Sequence, residues 1–219
     1  MRKYFLVLIA VLLLVPGKAS AFHVIGEQPV TKLTLKADFM DPKNGESFVR
    51  ERAEAYLKKG DLGLGGEVMV IPKYDYLRFR PYVTFGIGAV TPIIGFSTDS
   101  KGADFVDAGV WYSSKLGKNF SLFLDLRNYW GLNGKSDGFT DNFLNVSLNL
   151  NDKAFAGIDL GYDHYWKSHD DWYLVGIPIG YSIAKNSTIF ARPAFEKYLH
   201  QKGGKNDTYS LRLGVSVKF

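Results

Sequence analysis

Beyond Arg2 the chain holds seven arginines: Arg50, Arg52, Arg78, Arg80, Arg127, Arg192 and Arg212. Four of them form i, i+2 pairs, Arg50 with Arg52 and Arg78 with Arg80. Residues two apart point the same way in an extended chain, so each pair sets two guanidinium groups on one face. Guanidinium is a planar, permanently charged donor matched to carboxylate and phosphate. Lys32 and Lys36 take the polar phase of their own segment. Lining a water-filled space, these nine cations would attract anionic solutes at a series of weak sites. Acids share the same phase: Asp38, Glu54, Glu67, Asp107, Asp125, Asp159, Asp163 and Glu196. Asp125 lies two residues from Arg127, and Glu196 four from Arg192. The same face can therefore also neutralise itself as a salt-bridge network.

Other chemistry is sparse. The histidines are His23, His164, His169 and His200. Asp163, His164, His169, Asp170 and Asp171 gather in one stretch, but without a recognised metal-ligand spacing. That stretch reads as a solvated polar loop, and neither a metal nor a cofactor is expected. His164 with Ser168 has the residue types of a base and a nucleophile. Such a pair needs a third, orienting group. None is evident, and His164 falls on the apolar phase of its segment. No catalytic residue is assigned.

The elements that must carry these side chains show a period of two. In DTYSLRLGVSVKF, at 207–219, Tyr209, Leu211, Leu213, Val215, Val217 and Phe219 alternate with Ser210, Arg212, Gly214, Ser216 and Lys218. Similar alternation runs through 30–39, 62–71, 76–89, 103–116, 120–130, 142–150, 154–166, 172–183 and 188–200. The stretch SFVRERAEAYLKKG, at 47–60, fits a helix and a strand equally well. Its neighbours decide: strands on both sides need a partner between them if the sheet lies in a bilayer. A short fifth strand at 93–98, after a turn at 90–92, brings the number to twelve and keeps it even. Short connections (KKGD, VTP, KLGKN, NDK, AKN) alternate with mostly longer ones such as GLNGKSDGFTD. Tyr74, Tyr76, Tyr129, Trp130, Tyr165, Trp166, Trp172 and Tyr173 fall near the longer set, where an interfacial aromatic girdle belongs. The fold class is an all-β, antiparallel transmembrane barrel of twelve strands.

Composition agrees. Residues 1–21 combine Arg2 and Lys3, an apolar run and the small residues Ala19-Ser20-Ala21, the pattern of a cleaved secretory signal peptide. Residues 22–219 then form one barrel domain. Of the 27 basic residues, three precede position 22, while all 22 acids follow it. The remaining chain carries only +2, which excludes a nucleic-acid partner. Cysteine is absent, so disulfides and thiolate chemistry are excluded.

The run VTKLTLKADFMDPKNGESFVRERAEAYLKKGDLGLGGEV, at 30–68, resembles the first two hairpins of the oligogalacturonate-specific, KdgM-type porins. FEKYLHQKGGKNDTYSLRLGVSVKF, at 195–219, resembles their last hairpin. The resemblance implies a small monomeric barrel with an arginine-rich lumen that passes acidic oligosaccharides. Arg50, Arg52, Arg78, Arg80 and Arg212 stand where such lumen arginines are expected. The many inward acids depart from that pattern.

The expected function is passive diffusion of small hydrophilic, anionic solutes across the outer membrane of a Gram-negative bacterium. Outer-membrane lipid and lipopolysaccharide would surround the barrel, and the assembly machinery would engage the strand ending at Phe219. The alternatives are a closed structural or adhesive barrel with a salt-bridged lumen and a lipid-modifying barrel enzyme.

Overall fold

The computed structural model describes residues 30–134, 137–200 and 205–219. The expected signal peptide and His23 lie outside the described residues. The strands are β1 (Val30–Pro42), β2 (Phe48–Lys59), β3 (Leu62–Ile71), β4 (Tyr76–Phe85), β5 (Val90–Asp99), β6 (Asp104–Leu116) and β7 (Phe120–Gly131). They continue as β8 (Phe139–Asn149), β9 (Ala154–Tyr165), β10 (Asp171–Gly176), β11 (Ile179–Ala184), β12 (Ser187–Leu199) and β13 (Lys205–Lys218). β10 and β11 are two halves of one barrel strand, since each pairs with β9 on one side and β12 on the other. Every ladder is antiparallel, and β1 pairs with β13 from Lys32↔Lys218 to Pro42↔Thr208. The sheet is thus a closed barrel of twelve strands.

The break between β10 and β11 falls at Ile177 and Pro178, inside a strand expected to be continuous. Proline has no N–H to give to a ladder. The wall stays bonded there through Ile177 N to Pro193 O (3.0 Å) and Gly157 N to Pro178 O (2.8 Å).

The burial pattern is inside out. Among the described residues thirteen polar or charged ones are buried, against nine apolar ones, while Phe39, Leu77, Phe79, Val83, Ile94, Ile158 and Leu211 all stand outward and exposed. A continuous exposed apolar surface of this kind matches hydrocarbon, and the polar lumen matches water. In β2 this alternation answers the helix-or-strand ambiguity. Ala53 opposes Leu35 and Val68 on the outer face, while Arg52 opposes Lys36 and Met69 on the inner face. Glu51, out of phase in the sequence, lies opposite Ala37 and Val70 near the long-loop end, where an outward charge costs least.

Two expectations about β4 and β5 are corrected. The turn is at 86–89 rather than 90–92, closed by paired bonds between Ile87 and Val90, with Gly88 at φ 62°. β5 is a full ten-residue strand rather than a short one. Ile87 extends the apolar alternation of β4 and disguises the turn. Pro92 suggests a turn, yet sits inside β5.

Long connections lie at one end of the barrel, among the described residues 43–47, 72–75, 100–103 and 166–170, and the end of β7, the start of β8, the end of β12 and the start of β13 lie at that same end. Short ones lie at the other: 60–61, 86–89, 117–119, 150–153 and 185–186. Phe219 also lies at the short-turn end, its N–H bonded to Thr31 O (2.8 Å).

Gly109 of β6 supplies a test of the wall. A Cβ there would overlap the Leu126 carbonyl oxygen and stand 2.8 Å from Arg127 Cα, both backbone atoms of β7. At Gly66 the nearest atom would be 3.8 Å away. Gly109→Ala should cost about 1–3 kcal/mol and lower the temperature at which the compact gel band converts to the unfolded one. Gly66→Ala should leave that temperature unchanged.

Candidate functional site

The inward phases enclose a cavity of about 830 Å³. Its lining runs from Lys32, Lys58 and Lys218 at the short-turn end to Phe139, Tyr165 and Trp172 at the long-loop end. All nine cations expected from the sequence border it: Arg50, Arg52, Arg78, Arg80, Arg127, Arg192, Arg212, Lys32 and Lys36.

On the wall formed by β13 and β1–β4, the centre is Asp38, only 1% exposed. Ladder register places it directly opposite Arg50 on one side and Arg212 on the other. Arg50 Nε and Arg212 Nε donate to it at 2.8 and 2.5 Å, and Arg52 Nη2 lies at 3.4 Å. One carboxylate therefore holds three guanidinium groups. Next to it, Glu67 accepts from Arg78 (2.7 Å) and lies 3.9 Å from Arg52. Glu54 accepts from Lys36 (3.2 Å) and from the Tyr82 hydroxyl (2.9 Å).

The facing wall, on β6–β9, carries acids and aromatic rings. Arg127 forks onto both oxygens of Asp125 and lies 3.8 Å from Asp107. Arg80 reaches across from β4 to within 3.9 Å of Asp107, with its guanidinium 5.7 Å from the ring centres of both Tyr82 and Tyr129. Asp141 and Asp163 are register partners on β8 and β9, in the row that also holds Arg127.

The pairing expected between Arg192 and Glu196 is corrected. Arg192 donates to Asp159 (3.2 Å), which also accepts from Asn145 (2.6 Å). Glycine makes this possible. A Cβ on Gly176 would press on the Arg192 side chain at 3.1 Å, so its absence lets that side chain cross the intervening strand. Glu196 instead accepts from Ser210 (2.9 Å) and lies 3.7 Å from Arg50. Asp107 likewise lies over Gly95, where a Cβ would stand 2.5 Å from its Oδ2.

The aromatic girdle is also corrected. Trp130 and Tyr173 are exposed outward, whereas Tyr74, in the 72–75 connection, packs edge-on against Phe48 at 5.1 Å. Tyr129, Tyr165 and Trp172 point inward. Tyr129 stacks on Phe139 at 4.3 Å, and Phe139 on Tyr165 at 5.2 Å, which lines one side of the long-loop mouth with rings. Their even spacing from Arg127, Asp163 and Leu174 carried this signal. Asp141 and Lys58 were missed for similar reasons, although Asp141 alternates in phase with Phe143, and Lys58 with Tyr56.

Several buried polar atoms make no hydrogen bond to protein among the described residues: both Asp107 carboxylate oxygens and the Nε of Arg52, Arg78, Arg80 and Arg192. Buried groups of this kind require water, so the lumen is suited to a wet interior. At the long-loop rim, His164 Nδ1 lies 2.9 Å from Asp171, which also accepts from Tyr162. Ser168 Oγ instead receives the Asp170 N–H at 3.4 Å. Among the described residues no group of three or more His, Asp or Glu is arranged to hold a metal.

No family model and no curated protein matches the sequence. Solved structures do match its shape. A KdgM porin in complex with disordered oligogalacturonate superimposes at a TM-score of 0.62, with 14% identity, over 86% of this chain and 99% of that one. The fold is KdgM-type porin-like. A NanC porin matches at 0.63 with 13% identity, over 85% of this chain and all of that one (100%). The COG4313 outer membrane channel from Pseudomonas putida F1 matches at 0.56 with 10% identity, over 92% and 99%. At such identities the likeness is one of fold, and the resemblance seen in the terminal hairpins holds at that level. The porin-like lumen of this chain differs in its acids from the basic lining that the resemblance implied.

Asp38 makes the network testable. Asp38→Asn would leave Arg50, Arg52 and Arg212 facing one another around a neutral group. Removing one partner of a buried ion cluster costs about 3–5 kcal/mol, read as a lower urea midpoint for unfolding in detergent. Replacing Arg212 by Met in the same chain should recover part of that loss.

Proposed function

We propose that the chain is a monomeric outer-membrane porin for passive diffusion of small hydrophilic solutes, with anionic sugars or oligosaccharides favoured. The observation that carries this reading is one cavity whose lining reaches both ends of the barrel. Spread over a hydrocarbon core of about 30 Å, its volume corresponds to a mean section of roughly 30 Å², a passage a few ångströms in radius. Polar atoms along it that make no hydrogen bond to protein favour a column of water over a dry plug. The nine bordering cations favour negative solutes, which would move between successive weak contacts. A channel rather than an enzyme fits the rim: Asp171 orients His164, but Ser168 Oγ takes the Asp170 N–H and not a bond to His164, so among the described residues no nucleophile is coupled to that base.

In this reading the apolar exterior faces outer-membrane lipid and lipopolysaccharide. The long connections face outward and the short turns face the periplasm, as in barrels of this kind. The last strand, ending on the outward Phe219, is the segment offered to the assembly machinery.

Refolded protein in planar bilayers should give discrete conductance steps, with a reversal potential on the anion side under a salt gradient. Oligogalacturonate should interrupt the steps more than a neutral oligosaccharide of equal length. A protein that shifts on heating in gels but conducts nothing would instead be a closed structural barrel, and the porin reading would fail.

A further inference from the structure

The charges of the lumen are not equally available. Each of the seven arginines has a carboxylate within 4.0 Å. Lys36 is held by Glu54. Facing these eight cations are nine carboxylates: the eight expected from the sequence, and Asp141. Each cation in the middle of the passage is therefore paired with a carboxylate.

Three cations lie outside this network. Lys32, Lys58 and Lys218 sit at the short-turn ends of β1, β2 and β13, three adjacent strands. Lys32 and Lys218 are direct register partners, and Lys58 lies one inward row further toward the mouth, opposite Val30 and Gly63. All three are exposed and border the cavity. None of their ammonium groups makes a hydrogen bond or an ion pair among the described residues. Glu54 is the acid that faces Lys32, but Lys36 and Tyr82 already occupy it, while Lys36 and Lys218 face Lys32 with like charge. Asp61 shares with Lys58 Nζ the space over Gly86 without closing to ion-pair distance. Three neighbouring ammonium groups without counter-charges lower their repulsion most by binding an anion.

We propose that Lys32, Lys58 and Lys218 form an anion-collecting site for carboxylated solutes at the short-turn mouth, and that this site sets the charge selectivity of the passage. The paired arginines are then the compensated frame through which the solute moves. This inference rests on the porin reading. It places the selectivity filter at one end, so the open channel is electrically asymmetric and its current should rectify. Screening lengths of about 10 Å at 0.1 M salt and 3 Å at 1 M make rectification and selectivity strong in the first condition and weak in the second.

The test compares wild type with the triple variants K32Q/K58Q/K218Q and K32R/K58R/K218R in planar bilayers at 0.1 M salt. The glutamine variant should still give conductance steps, but its anion-to-cation permeability ratio should fall about threefold or more, toward unity, with loss of rectification. The arginine variant should keep the wild-type ratio. Heat-shifted gel migration verifies folding; if the triple glutamine chain fails to fold, each single Lys→Gln variant should lower the ratio by part of the total. A glutamine variant that conducts with the wild-type ratio overturns the lysine site and leaves the porin reading standing. A wild-type chain that never conducts overturns both.

Discussion

The structure depends on one constraint: backbone polar groups in hydrocarbon have no water to bond, so the ladder of β1 with β13 must close. Closure settles the rest in sequence. A closed antiparallel sheet shows every side chain either to lipid or to the lumen, with a period of two. The outer set is free to be apolar and exposed, as Phe39, Phe79 and Leu211 are. The inner set must share a narrow, partly watered space. There, charges brought in by one strand have to be met by charges from its neighbours, because an unpaired buried ion costs several kcal/mol.

That hierarchy explains what could be seen in the sequence. Alternation is a property of each strand by itself, so the barrel, its strand number and the inward phase of all seven arginines were legible. Apart from Arg127, whose partner Asp125 lies two residues away on β7, their salt-bridge partners were not, because those partners are chosen between strands. Arg192 has an acid four residues along its own strand, yet it crosses Gly176 to Asp159. Nothing in the spacing within β12 says that a glycine on the neighbouring strand opens that route. Turns were legible where they broke the alternation. The turn at 86–89 does not break it, since Ile87 continues the apolar phase of β4. Aromatic residues at strand ends misled in a similar manner. Composition places them at a membrane interface, but phase decides whether a ring such as Tyr129 or Trp172 faces lipid or lumen.

Compensation in the middle of the lumen also bears on how a charged solute could leave it. A free guanidinium 4 Å from a carboxylate, at an effective dielectric constant near 20, attracts it by about 4 kcal/mol. Two such groups acting together would hold a solute with roughly micromolar affinity, and several in a row would form a trap instead of a path. With Asp38, Glu67, Asp125 and Asp159 bound to the arginines, a passing anion competes for donors that are already satisfied and gains little at any one step. The polar surface stays wet and the wells stay shallow. Uncompensated charge does least harm to transit at a mouth, where water and salt screen it and where it still raises the local concentration of anions. The lysines on β13, β1 and β2 occupy that position, so the chain separates the groups that can attract from those that must let go.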